Sequence, residues 1–185
     1  MRTLFIIPLV LMSVLSLPSW GLTMDDLVQR QGLYYKKFTD VPFTGEVDGK
    51  NQGKFKDGMR EGYWVWYRDN GQLGGKGKYS FGKKVGAWVR YHSNGKLEWK
   101  GDFKNGKHHG FWVWYHDTGR LSSNGNFENG KEQGWWVSYH YNGREHYKGK
   151  FENGKKQGPW VYYRYDGTVL EELTGTYKNG LKAND

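Results

Sequence analysis

The sequence predicts an all-β protein, a twisted antiparallel meander of β-hairpins with a short N-terminal cap of helix and strand. Three observations lead to this fold class: a recurring Trp-Val-x-Tyr phrase, glycines at fixed offsets from it, and Asn-Gly pairs between short aromatic-rich segments. The phrase recurs every 24 residues, beginning at Trp64, Trp88, Trp112, Trp136 and Trp160. A constant interval of this length indicates a repeat array, a class of fold whose extended surfaces usually bind other molecules.

The spacings divide the array, residues 45–185, into units. Each unit begins with a glycine that is followed two residues later by an aromatic residue. The five full units are 53–76, 77–100, 101–124, 125–148 and 149–174, and a partial unit covers 175–185. The fifth unit is longer by two residues around Glu171 and Glu172, because Gly149 and Gly175 are 26 residues apart.

Each unit is predicted to contain two strands joined by tight turns. Residues 97–103 and 111–116 are examples, because both are aromatic-rich and bounded by Gly, Asn and Asp. Type I′ turns need positive φ at both central residues and favour Asn-Gly. The sequence has such pairs at 94–95, 105–106, 129–130, 142–143, 153–154 and 179–180.

The aromatic residues are expected to form the core of this sheet. Aromatic side chains make up 18% of the chain, while its mean hydropathy is only −0.90. A strand glycine such as Gly101 leaves room for a neighbouring tryptophan ring to lie across the backbone. The repeated phrases are therefore interpreted as a packing ladder and not as a ligand-binding box.

The pattern G-x-[FY]-x-[ND]-G-[KM]-x-x-G-x-W-V-x-Y-x-x-x-G resembles the MORN repeat in its bacterial variant form, found in proteins of the YwqK antitoxin family. The resemblance covers about residues 45–180. It implies an all-β hairpin array that binds protein partners or anionic lipids and has no enzymatic activity. The segment 33–45 also resembles the N-terminal part of the antitoxin proteins.

The N-terminal segment, residues 1–21, has the order of a signal peptide. Arg2 precedes an apolar run over 4–17, and small residues follow at Ser19 and Gly21. We expect cleavage before Leu22 and export to the periplasm or the medium, with an uncleaved anchor as the alternative. The chain has no cysteine, so neither disulfides nor a lipid-modified cysteine are expected.

Residues 22–44 are expected to form a cap over the first edge of the sheet. The segment Thr23-Met24-Asp25-Asp26 has the spacing of a capping box and predicts a short helix over about 24–31. Residues 33–38 are predicted to be a strand.

The formal net charge is +9, which makes basic side chains the main functional clue beyond the repeat. Lysines beside turn glycines are expected to stack along one edge of the array: Lys83, Lys84, Lys107, Lys131, Lys155 and Lys156. They are either solvated turn residues or a basic rim that attracts an acidic protein, anionic lipid or an envelope polymer. Nucleic acid would also suit basic and aromatic residues, but export disfavours it.

One strand face is the candidate partner-binding band. The third residue of the phrase varies (Trp66, Arg90, Trp114, Ser138, Tyr162), and the residue after the phrase is always basic. The candidate residues are Trp66, Arg68, Arg90, His92, Trp114, His116, His140, Tyr162 and Arg164. Aromatic and cationic side chains of this kind are enriched at binding hot spots. The alternative is that the band is the packed interior of the sheet.

No cofactor, metal or catalytic site is predicted. Histidines one unit apart would be separated by about 10 Å, too far to share a metal ion at ligand distances of about 2.0–2.1 Å. The sequence has no cysteine nucleophile and no G-x-S-x-G motif. The predicted function is a non-catalytic exported protein that binds a protein partner, with toxin neutralisation as one form. The alternatives are a membrane-surface adaptor for anionic lipid or envelope polymer, and a purely structural envelope component.

Overall fold

The computed structural model describes residues 21–183, in which one short 3₁₀ helix (Met24–Asp26) precedes a series of β-strands. The strands are β1 (Leu27–Arg30), β2 (Leu33–Lys36), β3 (Gly45–Val47), β4 (Asn51–Lys56), β5 (Met59–Tyr67), β6 (Leu73–Ser80), β7 (Lys83–Tyr91), β8 (Leu97–Lys104), β9 (Lys107–Tyr115), β10 (Leu121–Glu128), β11 (Lys131–Tyr139), β12 (Glu145–Glu152), β13 (Lys155–Tyr162), β14 (Gly175–Lys178) and β15 (Leu181–Lys182). The predicted signal peptide lies outside these residues except for Gly21, and it stays a prediction. Between residues 21 and 183, no helix is both long and apolar enough to cross a membrane.

Strands β3 to β15 form one antiparallel sheet of 13 strands, in which each strand lies beside its neighbours in the chain. The predicted all-β hairpin meander is therefore confirmed. The predicted strand over 97–103 is β8, and the one over 111–116 is the second half of the longer β9. The partial sixth unit contributes two strands, β14 and the two-residue β15.

The two kinds of turn in a unit differ in backbone geometry. Asn105 and Gly106 both have positive φ, 53° and 79°, and the pairs at 129–130, 153–154 and 179–180 share this geometry, as predicted. The prediction is wrong at 94–95 and 142–143, where only the glycine has positive φ. These pairs lie in longer loops, in which the Asn94 side chain accepts a hydrogen bond from the Lys96 N–H at 3.0 Å. The asparagine thus supports the loop through its side chain and not through a left-handed backbone.

The hairpin formed by the two strands of each unit contains a β-bulge, which places the ring of the repeat tryptophan over a glycine of the paired strand. In the third unit, Lys100 pairs with Val113 and Asp102 with His109, so Gly101 alone faces three residues of β9. The ring of Trp112 lies so close to Gly101 that an added Cβ would be 2.2 Å from its Cδ2 atom. This confirms the predicted use of a strand glycine, and the same contact recurs at all five tryptophans.

The tryptophans form a continuous aromatic layer with the aromatic residues of the paired strands. Trp112 is 1% exposed and makes edge-to-face contacts with Phe103 at 5.1 Å and Phe127 at 5.9 Å between ring centres. Its Nε1–H donates to the Asp102 carbonyl at 3.0 Å, which satisfies the buried indole. Each repeat tryptophan likewise contacts the aromatic residue at the start of the following unit, as expected of a packing ladder.

The N-terminal cap is mostly extended, and the helix predicted over 24–31 is wrong beyond its first turn. Thr23 caps the helix in a complete capping box, as its sequence predicts, but Leu27–Arg30 is strand β1, paired with β2. The extended form allows Leu27, 7% exposed, to join the cluster of Phe43 and Phe55 beneath the first unit. The strand predicted over 33–38 ends at Lys36.

The cap also covers the free edge of the sheet. Beside strand β3, the Asp48 N–H donates to the Leu22 carbonyl at 2.8 Å. The Tyr34 N–H donates to the Gly58 carbonyl at 2.8 Å, which attaches the β1–β2 hairpin to the first tight turn. The backbone donor of Asp48, which would otherwise remain open at this edge, thus has a partner within the chain.

Candidate functional site

The sheet presents two faces with different side chains. We call the side that carries the rings of Trp64, Trp88, Trp112, Trp136 and Trp160 the tryptophan face. Successive residues of a strand point to opposite sides. The residue before each tryptophan therefore points to the other side, here called the opposite face.

The aromatic members of the predicted band pack within the tryptophan face. Trp114 is half-buried and lies between Trp112 and Trp136, with ring centres 5.4 and 5.6 Å away. Trp66 contacts the next unit in the same way, at 6.0 Å from Trp88. Tyr162 is only 6% exposed and stacks on the tryptophan of its own unit. These rings extend the aromatic layer across the sheet.

The basic column after the phrase forms hydrogen bonds between units. The Nε2 atoms of His92, His116 and His140 lie 2.8, 3.0 and 2.9 Å from the carbonyl oxygens of the phrase tyrosines one unit further on. Because a carbonyl only accepts, each Nε2 carries the proton. Arg68 donates to the Tyr91 carbonyl in the same manner. In residues 21–183, no three His, Asp or Glu side chains lie close enough together to hold a metal ion.

Two members of the band are exposed arginines. The Arg90 Nε atom lies 3.1 Å from a carboxylate oxygen of Glu98, and the Arg164 Nη2 atom lies 3.3 Å from Glu172. Arg164 also donates to the Val169 carbonyl at 2.8 Å. The three aromatic residues thus pack in the interior of the layer, the alternative that the sequence left open, and Arg90 and Arg164 are the two members at the surface. The partner-binding role of the nine residues stays a prediction.

The lysines beside the tight turns separate into two groups. Lys83, Lys107, Lys131 and Lys155 are exposed along one edge, where the turn glycine of the following unit lies beside each lysine stem. Lys84 and Lys156 instead point onto the tryptophan face, so their predicted place in the rim is wrong. The Lys84 Nζ atom lies 4.5 Å from the ring centre of Trp88, and burial lowers the pKa of this amine. Adjacent strand residues face opposite ways, which explains the separation.

The opposite face carries an exposed aromatic row that the sequence analysis missed. Tyr63, Phe111 and Trp135 are 78%, 54% and 55% exposed. Lys78 lies 5.9 Å from the Tyr63 ring centre, and Lys150 lies 5.0 Å from that of Trp135. The sequence does contain a signal for this row, because the residue immediately before each repeat tryptophan varies. Since side chains alternate between the two sides of a strand, that residue lies on the face opposite to the tryptophan.

No family model and no curated protein matches this sequence. The candidate surfaces are therefore defined by geometry: the aromatic row of the opposite face, the lysine edge, and the tryptophan face. Of these, the aromatic row exposes three large rings, each by more than half of its surface. Exposed apolar surface of this kind marks interaction sites.

Proposed function

We propose that this chain is a non-catalytic, exported repeat protein that binds a protein partner through the opposite face of its sheet. The observation that supports this function is the row of Tyr63, Phe111 and Trp135, each more than half exposed and two of them flanked by lysines. Aromatic and cationic side chains are enriched at protein interfaces. The three rings lie in the first, third and fourth units, with Ala87 at the equivalent position of the second, and this spread suits an extended partner surface better than a small ligand.

The resemblance to bacterial MORN-repeat proteins of the YwqK antitoxin family supports a specific form of this function, in which the partner is a toxin that the chain neutralises. Because the chain is expected to be exported, such a toxin would act in the periplasm or outside the cell.

The test is capture of a partner from an envelope extract of the producing cells, with the chain from Leu22 as bait. Wild-type protein should retain a specific protein that the triple variant Tyr63→Ser, Phe111→Ser, Trp135→Ser does not retain. Tyr165→Ser, at a 59% exposed loop tyrosine, is the matched control and should retain it. Equal capture by the triple variant would show that this face is not the contact surface.

The toxin form has its own measurement. Expression of the captured protein in the envelope should arrest growth, and co-expression of the wild-type chain should restore it, whereas the triple variant should not. A captured protein that is harmless when expressed alone would exclude neutralisation while leaving protein binding intact.

The lysine edge favours a second candidate, an adaptor for anionic membrane surfaces. Lys83, Lys107, Lys131 and Lys155 align at the same turn of successive units. Near an anionic surface, each such lysine contributes about 1 kcal/mol. Wild-type protein should then sediment with phosphatidylglycerol vesicles and not with phosphatidylcholine vesicles, and replacing the four lysines by Gln should abolish this. Equal sedimentation with both vesicles would rule out the adaptor.

A further inference from the structure

A second repeating column lies on the tryptophan face, four residues before each repeat tryptophan. Three of its members place a cation near the ring of their own unit. The Arg60 Cζ atom is 4.9 Å from the ring centre of Trp64. The Nζ atoms of Lys84 and Lys156 are 4.5 and 5.0 Å from those of Trp88 and Trp160. The column consists of Arg60, Lys84, His108, Glu132 and Lys156.

The third unit fills the same place with an imidazole, since the His108 ring centre lies 3.9 Å from that of Trp112. The fourth unit differs, because its column residue is Glu132. Among residues 21–183, no cation lies against the ring of Trp136, and no ion pair or side-chain hydrogen bond engages the Glu132 carboxylate. One tryptophan of the array is thus left without the basic neighbour that the other four have.

Neighbouring basic groups are already engaged by other side chains. The Lys156 ammonium donates to the Tyr162 hydroxyl and lies near the ring of Trp160. His108 lies between the aromatic rings of Trp112 and Phe127. Neither is a partner for Glu132 in the structure.

A cleft of about 400 Å³ lies beside Trp136, lined by Trp114, Phe127, Trp136, Glu132, Ser122 and Ser123 among others. The cleft is open because residue 123 is a serine. The equivalent residues, 24 positions before and after it, are the larger Trp99 and Tyr147. Trp99 covers the tryptophan of the third unit at 5.1 Å, and Tyr147 covers that of the fifth at 5.7 Å. The small serine side chain leaves this space unfilled in the fourth unit.

We propose that this cleft binds an organic cation, an ammonium or guanidinium group that lies against the Trp136 ring and pairs with Glu132. Tryptophan is the aromatic side chain with the strongest attraction for cations, and partial burial strengthens that attraction. Glu132 supplies the complementary charge at the wall of the cleft, because the Glu98 carboxylate, which also lines it, is already paired with Arg90. Anions are disfavoured by the same Glu132 carboxylate. The incoming group takes the place that Arg60, Lys84 and Lys156 occupy in the other units.

The cation has two possible sources, a free small ammonium compound or a basic side chain of a bound protein. The cleft lies on the tryptophan face, so it does not depend on the partner surface proposed above. Two probes separate the sources: tetramethylammonium chloride and an end-blocked Gly-Arg-Gly peptide. The neutral control is 3,3-dimethyl-1-butanol, which has a similar apolar shape but no charge.

The experiment is calorimetric titration of the chain at constant ionic strength, together with the NMR signal of the Trp136 indole N–H, assigned with Trp136→Phe. We expect saturable binding of at least one cation and a shift of that signal. Glu132→Lys supplies the missing basic group internally, so it should weaken binding at least about tenfold while the protein remains folded. Glu128→Lys makes the same charge change on the opposite face, at an exposed residue, and should change affinity less than about twofold.

The probe that binds more tightly identifies the source of the cation. Tighter binding of the tetramethylammonium ion indicates a small quaternary ammonium ligand, and tighter binding of the peptide indicates a partner side chain. The proposal is overturned if neither cation binds, if the neutral alcohol binds equally well, or if folded Glu132→Lys keeps wild-type affinity. Melting curves of each variant exclude unfolding as the cause of any loss.

Discussion

Gly101 and the indole of Trp112 are in such close contact that a single methyl group would not fit between them. A Cβ at position 101 would lie 2.2 Å from ring atom Cδ2, and the ring is held from the other side by the aromatic layer. The indole cannot move away without losing its hydrogen bond to the Asp102 carbonyl. Position 101 therefore requires glycine because a side chain would overlap the indole ring. Its backbone does not require glycine, since its φ is not in the left-handed region.

The first prediction concerns this contact. Gly101→Ala should destabilise the fold by about 3 kcal/mol, the upper end of the usual cost of overpacking. The matched control is Gly110→Ala in the same hairpin, where φ is +70° but a Cβ meets nothing within 4 Å. It should cost only the backbone strain, about 1–2 kcal/mol. Urea unfolding measures the free energy of unfolding of both variants. An equal decrease in the two would show that the contact with the ring does not add to the cost of the substitution.

Removing the ring should have a larger effect. Trp112→Ala deletes a side chain that is 1% exposed and should cost about 3–5 kcal/mol. Lys107→Ala, at an exposed turn of the same unit, should cost less than about 0.5 kcal/mol. Thermal melting compares them, and similar midpoints for the two variants would contradict the packing ladder.

One turn carries strain that a substitution should relieve. Phe81 occupies the position of Asn105 in the next unit, with φ of +47° and 72% of its surface exposed. Left-handed backbone costs a bulky residue about 1–3 kcal/mol, and asparagine adopts it more readily. Phe81→Asn should therefore raise the melting midpoint by about 2–4 °C. Asn105→Phe is the reverse change and should lower it; a shift of the same sign in both variants would contradict this explanation.

Acid should destabilise the protein through His108. Burial, aided by the nearby Lys84 charge and opposed by Glu132, lowers the pKa of His108 below the usual value of about 6.5. Between the folded and unfolded pKa values, the unfolded chain binds a proton that the folded chain does not. This contribution to stability is therefore complete above about pH 6.5 and decreases as the pH falls through the folded pKa.

The measurement is the urea midpoint at pH 7 and pH 5. His108→Phe keeps an aromatic ring over Trp112 but cannot be protonated, so its midpoint should fall less than that of wild type over this interval. Burial also lowers the pKa of His146, and that residue accounts for part of the remaining dependence. The same fall in both proteins would mean that His108 contributes nothing.

The prediction of export is tested by the N-terminus of the protein in its producing cells. Mass spectrometry should find Leu22 as the first residue, because small residues at Ser19 and Gly21 follow the apolar run. An intact Met1 in the cytosolic fraction would contradict export.

The sequence predicts the features that repeat, because a constant residue at a constant spacing has the same environment in every unit. The use of a strand glycine such as Gly101 to make room for a neighbouring tryptophan ring could be predicted for this reason. Features that depend on contacts between distant segments could not be predicted. Leu27 follows a helical capping box but is extended, because its side chain packs in a buried cluster. The conformation of the Asn94 turn depends on the length of its loop. The alternation of side chains along a strand predicts the face on which Trp114 lies, but it does not predict whether neighbouring rings cover that face.

The strand order also determines how the molecule should respond to mechanical force. Because each strand pairs only with its neighbours in the chain, the two ends of the array lie at opposite edges of the sheet. Tension between those ends acts along the interstrand hydrogen bonds, which run perpendicular to the strands, so it loads one pair of strands at a time. Pulled in an optical trap, the array should therefore peel apart one hairpin after another at low force, with extension steps that correspond to about one unit each.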